Sequence, residues 1–275
     1  MSVLMKFGVA VFGMIFAFSL FQTCSSRSKP VSADVIAKEY AKGLDLKAVS
    51  ELAKRSRDAA DFEKRLNTPG EKVNNLDLND DGNVDYIKVQ EYGSGNERGF
   101  SLTVEVAPGK VQEVATIEFV RDGDRVAMQT SGNESMYGSG QHYHSSFGLG
   151  DMLLLSWLFS DRGGHYASPY GYGNYPPYYA RGWQRKATDQ YQREWSGAGA
   201  GTTFSKSSQP VVKTNAKSPN AGKDAARAEI LANPQKSQRS FQRRSGSTSR
   251  GGGFGRSSFG SSGRSRSGSS FGGGK

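Results

Sequence analysis

The stretch Phe100-Ser101-Leu102-Thr103-Val104-Glu105-Val106-Ala107-Pro108-Gly109-Lys110-Val111 alternates apolar with polar side chains and then breaks at Pro-Gly. A period of two is the pattern of a strand that buries one face, and the break marks a tight turn. Working outward, Val84, Tyr86, Ile87 and Val89 open a strand region before it, while Val111 to Val120 and Arg125 to Thr130 follow, parted by Asp122-Gly123-Asp124. Successive strands joined by short turns pair antiparallel, so the region predicts a four-stranded meander.

Before Gly70 the apolar period lengthens to that of a helix. Ser32 caps a helix over 33–42 with Ile36, Tyr40 and Leu44 on one stripe and Gly43 as its stop. Asp45 opens a second helix with Leu46, Val49 and Leu52 inward. A third runs from Arg57 to Leu66, burying Ala59, Phe62 and Leu66, and ends at Asn67-Thr68-Pro69-Gly70. Helices followed by strands give an α+β class, with N-terminal helices packed on a small antiparallel β-meander over 32–138.

Charge divides the chain unevenly. Of its 275 residues, those up to Ser160 hold 17 basic and 21 acidic side chains and those beyond hold 19 and 5, so the net charge of +10 is the sum of −4 and +14. A single globular domain over the whole length is excluded, because 236–275 is too poor in apolar residues to offset its ordering entropy, and the low-complexity sequence over 196–275 reads as a disordered basic Gly/Ser/Arg-rich tail. Cys24 is the only cysteine, which excludes a disulfide framework.

The N-terminus has the layout of a bacterial export signal over 1–24: Lys6, then an apolar run from Phe7 to Phe21, then Thr23-Cys24-Ser25-Ser26 and a linker over 25–31. The run is shorter than the roughly 20 residues of a comfortable membrane-spanning helix. Cys24 stands where a bacterial lipoprotein carries its lipidated cysteine, although Phe21-Gln22-Thr23 departs from the usual residues before it. Lipidation at Cys24, ordinary cleavage and an uncleaved anchor remain open, and each puts the rest of the chain outside the cytoplasm.

The sharpest motif lies between helices and sheet. In Asp77-Leu78-Asn79-Asp80-Asp81-Gly82-Asn83-Val84-Asp85, the side chains of Asp77, Asn79, Asp81 and Asp85 take positions 1, 3, 5 and 9 of an EF-hand-type loop over 77–88. Gly82 takes position 6, where the chain turns sharply, and the Asn83 carbonyl is the position 7 donor. Hard oxygen donors at this spacing suit Ca²⁺. Position 12, normally a bidentate Glu, is Lys88, so weak binding in the range of about 10⁻⁴ to 10⁻³ M is expected. The bland alternative is a solvated Asx/Gly turn without metal.

The residues from Asp61-Phe62-Glu63-Lys64-Arg65-Leu66-Asn67, through Asn74 to Val89, and on into Glu113-Val114-Ala115-Thr116-Ile117-Glu118 resemble a family of uncharacterised exported bacterial proteins with a DxNxDGxxD loop. The resemblance covers residues 45–138. It implies a secreted or lipid-anchored protein with an EF-hand-like loop and implies no activity.

Beyond the meander, residues 147–160 are strongly apolar and predict a helix, either buried against the exposed sheet face or placed at a membrane interface or self-association surface. Residues 161–195 interleave Tyr166, Tyr170, Tyr172, Tyr175, Tyr178 and Tyr179 with Gly and Pro, which favours extended, water-exposed chain. His142, His144 and His165 lack the accompaniment of a metal site and read as a solvated loop. In the basic tail, Arg239, Arg243, Arg244, Arg250, Arg256, Arg264 and Arg266 stand among Gly, Ser and Phe and resemble RGG segments that bind single-stranded nucleic acid. On an exported chain the same charge meets a membrane or an anionic envelope polymer.

No GxSxG, Walker A, dinucleotide fingerprint or HExxH occurs, and carboxylate pairs such as Glu105 and Glu118 on the strands offer acid/base chemistry only of a kind that exposed strand faces carry routinely. The sequence therefore predicts a non-enzymatic, membrane-anchored cell-envelope protein with a calcium loop and a polyanion-binding tail. A nucleic-acid-binding module is the rival.

Overall fold

The computed structural model describes residues 41–161, 164–198 and 203–226. Cys24, the export signal, the linker, nearly all of the first expected helix and the seven tail arginines lie outside the described residues.

Helix α1 (Leu46–Arg55) starts where Asp45 accepts the Ala48 amide at 2.9 Å, and it ends on Lys54 and Arg55, whose charges suit the negative end of its dipole. Helix α2 (Ala59–Leu66) starts two residues later than the expected Arg57, because Asp58 caps it by accepting the Asp61 amide at 2.7 Å. Asp61 in turn holds Arg57 and Arg65, each at 3.1 Å. At the C-terminus of α2, Asn67 behaves like a strand residue: its side chain accepts the Ile87 amide at 2.8 Å and donates to the Ile87 carbonyl at 2.7 Å.

The sheet has six antiparallel strands among the described residues, in the order β1 to β6. They are β1 (Ile87–Ser94), β2 (Glu97–Ala107), β3 (Lys110–Asp122), β4 (Arg125–Gly132), β5 (His142–Gly148) and β6 (Ser205–Ser207); a short helix α3 (Glu134–Tyr137) joins β4 to β5. The four expected strands are present, and two more extend the meander. Cross-strand pairs such as Val89 with Leu102, Phe100 with Ile117, Phe119 with Met128 and Val126 with Phe147 put the apolar residues on one face. Phe62 of α2 stacks on Phe100 at 6.0 Å, Phe100 meets Phe119 edge-on at 5.5 Å, and Ser50 of α1 donates to Thr130 at 2.8 Å.

Three expectations change here. The apolar run 147–160 is not one helix: Phe147 belongs to β5, and only α4 (Leu153–Leu158) is helical. Leu154, Leu155 and Leu158 of α4 join the core beside α1, on the helical side of the sheet. His142 and His144 lie in β5 rather than in a loop, with the His142 ring 2.9 Å from the Ser131 hydroxyl. The low-complexity region from 196 contains the end of helix α5 (Thr188–Ala198), strand β6 and a strap over 208–226 that crosses the polar face of the sheet.

Hydrogen bonds to polar side chains hold most of that strap, while Ala226 at its end joins the core and Val212 is buried. Gln129 accepts the amides of Val211 and Val212 at 2.7 and 3.1 Å, Asn220 donates to Gln90 and Ser101 at 2.9 and 3.1 Å, and Ser218 donates to Glu113. Gln112 accepts the Ala226 amide at 3.1 Å. Composition alone misses such a segment because its partners are polar side chains of the sheet. Among the described residues no helix is long and apolar enough to cross a membrane.

The packing separates two large apolar positions, one buried and one exposed. Phe100→Ala is expected to destabilise the fold by roughly 3–5 kcal/mol, whereas Leu153→Ala, at a side chain 65% exposed, changes stability by less than about 0.5 kcal/mol. Denaturant midpoints of the two variants check this.

Candidate functional site: the acidic loop and its tyrosine wall

The loop folds by turning its own oxygens inward. Asp77 accepts the amides of Asp81 at 3.0 Å and Gly82 at 3.1 Å, one on each carboxylate oxygen. Asn79 also accepts from the Asp81 amide at 3.1 Å, and Asp81 accepts the Asn83 amide at 2.8 Å. These are the side-chain-to-backbone bonds by which Asx residues close turns. The chain passes through the left-handed region at Asp80 (φ 57°) and Gly82 (φ 87°), and a glycine meets the second at no steric cost.

A second segment clamps the loop from outside. The Val84 amide donates to the Trp183 carbonyl at 2.7 Å, the Arg185 amide to the Gly82 carbonyl at 3.0 Å, and the Tyr179 hydroxyl to the Val84 carbonyl. Asp85 turns into the protein, accepting the Leu78 amide, while its own amide bonds to the Leu76 carbonyl at 2.7 Å. Strand β1 follows directly. Lys88, at the twelfth position, leaves the loop altogether and pairs with Glu105 at 3.6 Å.

Burial is the main influence on the loop carboxylates. It pushes the Asp77 carboxyl up to about 6, with Asp80 and Asp81 adding repulsion and the Gly82 amide opposing. Burial likewise pushes Asp85 well above the usual carboxylate range, with Asp77 and Asp81 adding to it. Crowded carboxylates of this kind are stabilised by a cation.

The sequence-derived donors Asp77, Asn79, Asp81 and Asn83 are together on the loop, and Asp85 stands behind it. A carboxylate offers about four lone-pair sites, and Asp77 uses two of them on loop amides. The remaining lone pairs, with the Asn79 and Asn83 oxygens, suit a hard cation in type. Their present arrangement is closed on the loop's own amides: among the described residues no three His, Cys, Asp or Glu side chains are gathered around a point that would hold a metal.

The tyrosine-rich segment is packed, not extended in water. Tyr86 lies within 5.3 to 5.8 Å of the rings of Tyr170, Tyr175 and Tyr179, and its hydroxyl is 2.9 Å from that of Tyr178. Beneath it is Glu63, fully buried. One Glu63 oxygen accepts from Tyr86 and Ser168, both at 2.7 Å; the other accepts from the Val89 amide at 2.9 Å and Tyr166 at 3.2 Å. Burial raises the Glu63 pKa and these donors oppose the rise. Its only trace in the sequence is its position, one residue after Phe62 and three before Leu66 on the buried stripe.

Glu105 and Glu118 form no acid/base pair. Glu105 accepts the Gly109 amide at 2.8 Å and the Tyr172 amide at 3.2 Å, whereas Glu118 accepts from Thr116 at 3.1 Å and Gln129 at 3.2 Å, where burial raises its pKa. No protein-family model matches the chain, and neither the curated proteins nor the solved structures give a match.

A pH dependence follows from Asp77. A carboxyl whose pKa is raised on folding keeps its proton in the folded chain after the unfolded chain has lost it, so stability falls as pH rises between the two values. Stability is expected to decline from about pH 4 to about pH 6 on this account. Asp77→Asn is expected to make that decline shallower, leaving the share of the other burial-raised carboxyls, as read from Tm at half-unit pH steps in metal-free buffer.

Proposed function

We propose that the protein is a non-enzymatic component of the bacterial cell envelope. It is exported by its N-terminal segment and anchored there, through lipidation of Cys24. Its folded domain binds Ca²⁺ weakly at Asp77, Asn79, Asp81, Asn83 and Asp85, and its basic tail engages anionic lipid or envelope polymer.

The loop chemistry carries the calcium part of this reading: on a DxNxDG turn the buried Asp77 carboxyl, repelled by Asp80 and Asp81, is held up to about 6. When bound, the ion supplies charge neutralisation and stiffening, and no chemistry on a substrate. Asp77, Asn79 and Asp81 would hold it by side-chain oxygens and Asn83 by its carbonyl. The missing acidic twelfth residue, with Lys88 drawn off to Glu105, keeps the affinity low. Export supplies the extracellular concentrations at which weak sites fill. The tail reading rests on the charge, since residues 236–275 hold nine basic side chains and no acidic one.

Titration of the full chain with Ca²⁺ tests the loop. At 10 mM ion and a Kd near 1 mM, the gain is about 1.4 kcal/mol, or roughly 3–6 °C in Tm. The rise is expected to vanish in Asp81→Ala; no shift in the parent, or an equal shift in the variant, removes calcium from the proposal.

For the tail, deletion of residues 236–275 is expected to abolish salt-sensitive retention on vesicles containing anionic lipid. Retention of the parent chain on single-stranded DNA but not on those vesicles would favour a nucleic-acid-binding function instead.

A further inference from the structure

Between the acidic loop and the tyrosine-rich segment lies a cavity of about 330 Å³. That volume is within the range of small-molecule sites, roughly 300–1,000 Å³. Its lining combines the aromatic Tyr172, Tyr175 and Tyr179 with the polar Asp81, Asn83 and Arg181. We infer that this cavity binds a carbohydrate ring, seated on the tyrosines and held at its hydroxyls by Asp81, Asn83 and Arg181.

The aromatic wall is prepared in advance. Tyr175 and Tyr179 stand 4.9 Å apart at an interplanar angle of 53°, and both rest on Tyr86. The Tyr179 hydroxyl is committed to the Val84 carbonyl, which locks its ring. Tyr172 differs: it is 45% exposed, among the few large apolar side chains so exposed in the described residues, while its backbone amide is tied to Glu105. An exposed aromatic ring that lines a cavity without joining the core is a platform for an apolar surface, such as the C–H face of a sugar.

Charge selects among ligand classes. The Asp81 carboxylate disfavours an anion, and the exposed Arg181 guanidinium disfavours an organic cation. A neutral ring bearing hydroxyls can donate to Asp81 and to the Asn83 side-chain oxygen and accept from Arg181, so it uses both signs of hydrogen-bonding group. The site differs from the proposed calcium loop in its tyrosines and Arg181, and it requires no ion.

The test uses the full chain, titrated with the β-1,4-linked tetramer of N-acetylglucosamine and with maltotetraose, followed by calorimetry in EDTA and again in 5 mM Ca²⁺. Saturable binding of either sugar with Kd below about 10 mM is expected. Tyr172→Ala and Arg181→Gln are each expected to weaken it about tenfold or more while leaving Tm unchanged, because both side chains are exposed. Absence of binding by both sugars overturns the inference, and so does binding that neither variant weakens or a preference for tetramethylammonium over both sugars. Sugar binding that is equal in EDTA and Ca²⁺ sustains the inference whatever becomes of the calcium loop.

Discussion

A carboxylate without water must be given donors, and in this protein the buried Glu63 side chain sets what surrounds it. Its four donors come from the β1 backbone at Val89, from Tyr86 just before that strand, and from Tyr166 and Ser168 more than a hundred residues later. One side chain of α2 therefore fixes the helix to the sheet and the tyrosine-rich segment to both. Glu91 repeats the device nearby: it accepts from Arg98 at 3.2 Å and from the Tyr166 amide at 2.9 Å. The same segment covers the outer edge of β1, where the Glu91 amide donates to the Tyr166 carbonyl at 2.7 Å and the Ser168 amide to the Val89 carbonyl at 3.0 Å. An open strand edge invites pairing with other chains, and this one is closed by the wrap that Glu63 recruits.

The two faces of the sheet are covered on different physical terms. Toward the helices, Phe62, Phe100 and Phe119 form an apolar contact whose worth scales with area removed from water. Toward the strap, Gln90, Ser101, Glu113 and Gln129 are satisfied one hydrogen bond at a time by residues 211–220. A bond of this kind contributes only about 0.5–1.5 kcal/mol net, but leaving its buried partner unsatisfied costs about 1–3 kcal/mol. The strap is thus specified by what its absence would expose.

This contrast explains which parts of the molecule were legible in the sequence. The period-two alternation from Phe100 to Val106 and the stripe Leu46, Val49 and Leu52 are signals of apolar burial, and the elements they indicate are present. Spacing likewise identified Asp77, Asn79, Asp81 and Gly82, because a loop that closes through its own side chains is local. Glu63, Tyr86, Gln129 and the strap were not legible. Their partners lie far along the chain, and a buried polar residue looks the same in sequence as an exposed one until its donor is known. The tyrosines between 166 and 179 were misread for the same reason, since Gly and Pro spacing describes backbone freedom and says nothing about a carboxylate waiting underneath.

The strand order has a consequence in time. Each pairing from β1 to β5 joins neighbours in the chain, and closures of short sequence separation form early and fast. The donors of Glu63 are different, for Tyr166 and Ser168 stand 103 and 105 residues beyond it. A chain emerging from its N-terminus presents helices α1 to α4 and strands β1 to β5 before the last two donors of that carboxylate. Dehydration of Glu63 then becomes the late event, and the wrap that closes the β1 edge arrives in the same step.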